Sequence, residues 1–205
     1  MGFHSVLTTA QRLVAERTPP GSTVIDATAG GGVDTLFLAR TVGPGGRVYA
    51  FDVQEEALAR TRARLQEAAA RGSVAGALGE ATLLHAGHEE MAALIPAELH
   101  GRIGAVMFNL GYLPGGPGGA SPGDVPGPVI TKPDTTLAAL DAALRLLAPG
   151  GIATVVVYPG HEGGRDEAAA VDAWIALLPD ETAQALLYRF PKRPASPYLY
   201  ALEKK

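Results

Sequence analysis

The apolar segment Ile103 to Phe108 breaks off into Asn109-Leu110-Gly111-Tyr112-Leu113-Pro114-Gly115-Gly116. An apolar strand that finishes on an amide, helix-breaking residues and a ring offers polar groups at the carboxyl edge of a sheet, where open α/β sheets bind ligands. An asparagine side-chain oxygen there is an acceptor that suits an amine N–H. Asn109 and Tyr112 are therefore candidates for chemistry at an amino nitrogen, with Leu110, Gly111, Pro114, Gly115 and Gly116 beside the acceptor. The competing reading is a Gly/Pro turn that closes a core strand. His161 follows Pro159-Gly160 at the end of a later apolar segment and is expected to face the same crevice, unless it caps a helix or stands exposed.

Two carboxylates supply the second half of the chemistry. Val24-Ile25-Asp26-Ala27-Thr28-Ala29-Gly30-Gly31-Gly32 reads as a strand turning into a helix, with glycines that let the backbone approach a ligand in front of the helix N-terminus. Asp52 ends the next strand, where a carboxylate takes both ribose hydroxyls of a nucleoside. This suits NAD or S-adenosylmethionine (SAM). A dinucleotide pattern G-x-G-x-x-G read from Gly30 needs a third glycine where Thr35 stands, whereas Asp26, four positions before the first glycine, fits the SAM pattern. Asp26 is then expected to order the loop and face the methionine ammonium. The cofactor positions in this reading are Asp26, Thr28, Gly30, Gly32, Asp34, Thr35, Asp52, Val53, His88 and Asn109. His85, His88 and Glu89 have no third ligand at a suitable spacing, so no metal is expected and the histidines are read as hydrogen-bonded or adenine-lining.

These residues need a frame. Periodicity predicts a helix over 4–17, a strand over 23–27, a helix over 33–41, a strand over 47–51 and a long helix over 55–71. A strand over 81–85, a short helix over 89–95, a strand over 103–108, a helix over 135–147, a strand over 152–157 and a helix over 166–178 follow. Segments 182–190 and 198–202 are expected to pair as a closing hairpin. Short β-branched strands alternating with amphipathic helices indicate an α/β fold with a doubly wound, mainly parallel, Rossmann-like sheet and an antiparallel closing strand. Between Pro114 and Pro133, 12 of 20 positions are Gly or Pro, which marks a lid or a disordered loop. Lys132 and Thr136, just past it, are read as the start of the next helix rather than as phosphate contacts.

At 205 residues and 47% hydrophobic, the chain suits one well-buried domain spanning 1–205. No apolar stretch reaches the roughly 18 residues of a membrane span. Arg12, Glu16 and Arg17 interrupt any signal-peptide layout, so a cytoplasmic protein is expected. The lack of cysteine excludes a disulfide framework, an iron–sulfur cluster and a thiolate nucleophile. The formal charge of −4 is uneven: residues 189–205 carry a local +4. A basic end on an acidic body suits contact with phosphates, or is simply solvated.

Three segments, DATAGGGVDTLFLA at 26–39, FNLGYLPGG at 108–116 and VVYPGHEGG at 156–164, together resemble one family of small SAM-dependent methyltransferases, known as the rRNA methylase, YtqB-like or MnmM family. The likeness runs from about Thr23 to Lys205. It implies a class I methyltransferase fold, SAM as cofactor, a homodimer and tRNA as partner, engaged at the anticodon. The implied reaction is methylation of the aminomethyl nitrogen of 5-aminomethyl-2-thiouridine at the wobble position, with rRNA or a small-molecule amine as alternative acceptors. Asn109 and the Leu110 carbonyl would then hold the amine, Tyr112 would pack on the uracil ring, and His161 would contact the substrate or relay its proton. With no cysteine, radical methylation and Cys-dependent methylation of pyrimidine carbon 5 drop out. The chain departs from the family in having Gly31 and Val33 where Asn and His are usual, and Pro117 where an acidic residue often follows LPGG. An NAD-dependent oxidoreductase and a noncatalytic SAM- or RNA-binding module are the rivals from other classes.

Overall fold

The computed structural model describes residues 2–71, 77–111, 131–160 and 163–205. Its elements are α1 (Val6–Arg17), β1 (Thr23–Asp26), α2 (Val33–Val42), β2 (Arg47–Asp52), α3 (Glu55–Ala70) and β3 (Glu80–His85), then α4 (Met91–Leu94) and β4 (Ile103–Asn109). There follow α5 (Pro133–Leu146), β5 (Leu147–Val157), α6 (Gly164–Leu177), β6 (Ala183–Tyr188) and β7 (Tyr198–Lys204). Single 3₁₀ turns at His88–Glu90 and Ala97–Leu99 flank α4 and replace the continuous short helix expected over 89–95. No described helix is long and apolar enough to cross a membrane.

One seven-stranded sheet runs in the order β3-β2-β1-β4-β5-β7-β6. The first five strands are parallel, and β7 enters antiparallel between β5 and β6, as the predicted closing hairpin requires. The order reverses between β1 and β4, which opens a crevice at their carboxyl ends.

Local signals explain the element ends. Ser5 caps α1 by accepting from the Thr8 backbone N–H at 3.1 Å, and Val6, Ala10 and Val14 recur every fourth residue on its buried face. Pro133 stands at the first helical position of α5, where a missing N–H costs nothing. Parallel strands covered on both faces read as continuous apolar runs, and β4 does. Its Ala105 and Met107 pack towards α1 and α2, while Val106 and Phe108 pack towards α5 and α6. Ile103 shares the Phe108 face despite its odd spacing because the register shifts between Ile103 and Ala105. That bulge extends β5 back to Leu147, five residues before the strand predicted from Ile152. β6 forms one edge of the sheet and is exposed on both faces over Gln184, Ala185, Leu186 and Leu187.

Candidate active site

A cavity of about 870 Å³ lies at the carboxyl ends of the parallel strands, within the usual size of a cofactor site. Of the predicted residues, Thr28, Gly30, Asp34, Asp52, Val53, His88, Asn109 and Gly111 line it. Asp26, Gly32, Thr35 and Leu110 are buried just behind the wall. Tyr112, Pro114, Gly115, Gly116 and His161 lie outside the described residues, as do all but the last three positions of the Gly/Pro-rich segment 114–133 expected to form a lid or a disordered loop.

The glycine loop is held from two sides. Asp26, 1% exposed at the end of β1, accepts from the Thr28 N–H at 3.1 Å and from the Thr35 hydroxyl at 2.6 Å. Asp52 accepts from the Gly30 N–H at 2.8 Å and from the Gln54 N–H at 2.9 Å. Each carboxylate oxygen has two lone pairs, so Asp52 keeps acceptor capacity for a ligand hydroxyl after these bonds. From α3, Thr61 donates to the Gly30 carbonyl at 3.3 Å and Arg64 to the Gly31 carbonyl at 2.6 Å. Gly32 has φ of +75°, and a Cβ there would come within 2.8 Å of the Thr61 backbone, so no other residue fits. Gln11 of α1 donates to Asp34 at 2.8 Å and ties the first helix to the loop.

Burial is the main cause that raises the Asp26 pKa to about 7, with Asp34 and Asp52 adding repulsion and the Thr35 and Thr28 bonds opposing it. Asp34 is raised by the same desolvation. His88 is pushed the other way because burial disfavours its cation; its ring meets Phe108 edge-on at 5.9 Å. His85 is hydrogen-bonded to the Val53 carbonyl at 3.0 Å. Among the described residues no group of three or more acidic or histidine side chains is arranged to hold a metal.

Across the crevice, the Asn109 N–H donates to the Thr28 hydroxyl at 2.8 Å, which joins the two strands at the switch point. The Leu110 N–H donates to the Val156 carbonyl at 2.9 Å. Asn109 Oδ1 is buried and has no hydrogen-bond partner among the described residues. Such an orphan acceptor is rare in a native fold and marks a place for an incoming donor.

Several wall residues were not singled out by sequence. Tyr158 stands at the end of β5; burial and Asp34 raise its hydroxyl pKa, and a hydrogen bond with the Asn109 side chain partly offsets this. The strand-end rule that selected His161 points equally to Tyr158, three residues earlier. Ala195 and Pro197 reach the cavity from the β6–β7 connection, which no local motif announces. Lys132 caps α5, as expected for a helix start, and also lines the cavity. Buried Glu167 on α6 accepts the Thr131 and Thr136 hydroxyls at 2.8 and 2.7 Å, and so bolts the start of α5 in place.

The family described as "Putative rRNA methylase" matches residues 48–203, three quarters of the chain and most of this site. The chain belongs to that family. A Clostridium thermocellum structure described as a "putative rRNA-methylase" is 33% identical, with a TM-score of 0.84 and 100% of both chains covered. A Streptococcus mutans "putative methyltransferase", solved in complex with SAH, is 31% identical with a TM-score of 0.80 and the same coverage. The fold is thus the Rossmann-like class I methyltransferase fold that the family resemblance implied. A curated Arabidopsis thaliana relative, the chloroplastic tRNA (mnm(5)s(2)U34)-methyltransferase, is 40% identical over 190 residues. That alignment takes in 90% of this chain but only 64% of the relative's length.

Proposed function

We propose that this chain is a SAM-dependent N-methyltransferase that converts 5-aminomethyl-2-thiouridine at the tRNA wobble position to its 5-methylaminomethyl form. The observation that carries the reading is Asn109 Oδ1, a buried acceptor without a partner among the described residues, in the wall of a cavity whose other side is a glycine loop and two carboxylates. The Arabidopsis relative's specificity supports the choice of acceptor. A cytoplasmic homodimer acting on the anticodon region belongs to the same reading; light scattering on the purified protein tests the dimer.

SAM fits this site, since the glycine loop offers backbone N–H groups, Asp52 retains lone pairs for ribose hydroxyls, and His88 and Val53 border the side where the adenine is expected. When bound, SAM supplies a sulfonium-activated methyl group. The protein's task is alignment and control of the acceptor's protonation. An alkyl amine that titrates near 10.4 costs about 4.6 kcal/mol to deprotonate at pH 7. Desolvation in the crevice reduces that cost. Asn109 Oδ1 and the Leu110 carbonyl accept N–H bonds from the neutral amine and fix the direction of its lone pair. Tyr112 and His161 keep the roles the family resemblance implies, packing on the base and receiving the proton.

The deciding experiment is methyl transfer from labelled SAM to tRNA from cells blocked after the aminomethyl stage, with nucleosides identified by mass spectrometry. The expected product is 5-methylaminomethyl-2-thiouridine. Unmodified tRNA alongside methylated rRNA or a methylated small amine would keep the enzyme class and overturn the acceptor.

A further inference from the structure

The basic C-terminal stretch is one cluster in sequence and two in space. β7 runs antiparallel to β5, with Tyr198 beside Val157 and Glu203 beside Ile152. Lys204 and Lys205 therefore end at the amino edge of the parallel strands, away from the cavity. Arg189, Lys192 and Arg193 stay at the carboxyl edge, on the β6–β7 connection whose Ala195 and Pro197 line the cavity.

That connection is held in shape. The Arg189 guanidinium lies 5.0 Å from the Tyr198 ring centre and donates to the Pro194 carbonyl at 3.4 Å. The Arg193 N–H donates to the Phe190 carbonyl at 2.9 Å, and Ser196 Oγ to the Arg193 carbonyl at 2.7 Å. The Tyr198 and Tyr200 hydroxyls both donate to Asp172 beneath it, at 2.8 and 3.0 Å. Arg189 is thus engaged, whereas Lys192 and Arg193 are exposed and make no ion pair among the described residues. A second hollow of about 770 Å³ lies beside the connection, bounded by Pro194, Ala195, Arg165 and Asp166, and shares Gly160 and Ala195 with the main cavity. Arg165 is likewise exposed and free of ion pairs among the described residues, and among them Asp166 is the one acidic side chain on the groove.

We propose that this groove, with Arg165, Lys192 and Arg193, is a binding site for the phosphodiester backbone of a single-stranded RNA segment flanking the nucleotide inserted in the cavity. The inference rests on the RNA-acceptor reading above and adds where the polymer runs. A nucleotide in a chain carries phosphates on both sides, and these must leave the cavity through its mouth. A molecule of net charge −4 does not attract a polyanion by its overall field, so local cations must supply the attraction: Arg165 on the groove, and Lys192 and Arg193 on the connection that borders it. A small-molecule acceptor would need no cationic groove outside its pocket.

The test compares two charge-matched triple variants, R165Q/K192Q/R193Q at the groove and R40Q/R47Q/R102Q at the opposite, amino edge, in binding to tRNA in the presence of SAH. All six positions are exposed. The groove variant should bind tRNA at least about tenfold more weakly, with the slope of log affinity against log salt reduced by about 2, some 0.7 for each single-strand phosphate lost. Its SAH affinity should stay within about twofold of wild type, since none of the three residues lines the cofactor wall. The amino-edge variant should bind tRNA like wild type. Equal weakening by both variants, or by neither, overturns the groove while wild type still methylates tRNA. A wild-type protein that binds SAH but neither binds nor methylates tRNA overturns the acceptor reading itself, and the groove with it.

Discussion

On the β1–β2 side of the cavity the polar groups are already partnered: Asp26 holds Thr28 and Thr35, and Asp52 holds Gly30 and Gln54. On the β4–β5 side Asn109 is tied to Thr28 through its backbone N–H and to Tyr158 through its side chain, while its buried Oδ1 has no partner among the described residues. The first side is a preformed cradle whose geometry does not wait for a ligand. The second keeps a buried acceptor without a partner among the described residues, at a cost on the order of 1–3 kcal/mol that a bound donor would recover. Under the proposed function, the saturated wall would hold the cofactor and the open acceptor would align the amine.

The sharpest way to break that contrast is Asn109→Ala. Truncation should lower kcat about 10²–10³-fold, the size of effect seen when one hydrogen-bonding group aimed at a reacting atom is lost. SAH affinity should hold and thermal stability should fall by no more than about 1 kcal/mol, because the backbone bond to Thr28 survives and only the side-chain bond with Tyr158 is lost. Near wild-type turnover would remove Asn109 from the chemistry.

Asp52→Ala should do the reverse. With the acceptor for Gly30 and Gln54 gone, the cradle loosens, SAH binding by calorimetry should weaken about tenfold or more, and stability should fall by about 1 kcal/mol, since water reaches this half-buried site and replaces part of the loss. Wild-type SAH affinity in this variant would mean that the loop is held by α3 alone.

A smaller effect concerns Thr35→Val, which deletes the donor to Asp26. Asp26 has its folded pKa raised from 3.8 to about 7, so the stability it contributes is present below about pH 4 and is lost as the pH rises through 7. Removing the Thr35 hydroxyl should make the destabilisation larger at pH 8 than at pH 5, measured as the difference in urea midpoints. A pH-independent difference would show that Asp26 does not ionise in this range.

Smallest of all, His88 should impose the opposite slope. Its folded pKa lies below 6.5, so its contribution is present above pH 6.5 and fades as the pH falls through the folded value. His88→Phe should flatten the acid side of the Tm profile between pH 7.5 and 5.

Much of the site was readable along the chain because its parts are local. Asp26 and the glycines lie within one strand–turn–helix unit, and Asn109 interrupts an apolar run at its end. The strands and helices were predicted to within a few residues except at β5, where the bulge opposite Ile103 draws Leu147 into the sheet. The bond from Asn109 to Thr28 spans 81 positions, and Glu167 reaches Thr131 and Thr136 from 36 and 31 residues away. Sequence spacing carries no trace of such pairs. Tyr158 was legible by the strand-end rule, whereas Ala195 and Pro197 were not, because a hairpin connection has no motif that tells which edge of a sheet it joins.

By itself the sequence determined the alternation of strand and helix, the glycine turn, the acidic strand ends and the family, since each is encoded in side-chain period or in contiguous motifs. The tertiary structure alone decided which acceptors are saturated and which is left open. It also split the basic C-terminal stretch, sending Lys204 and Lys205 to one edge of the sheet and Lys192 and Arg193 to the other. The physical reason is the antiparallel entry of β7: reversing one strand separates charges that are neighbours in sequence, and hydrogen bonding and electrostatics depend on distance in space.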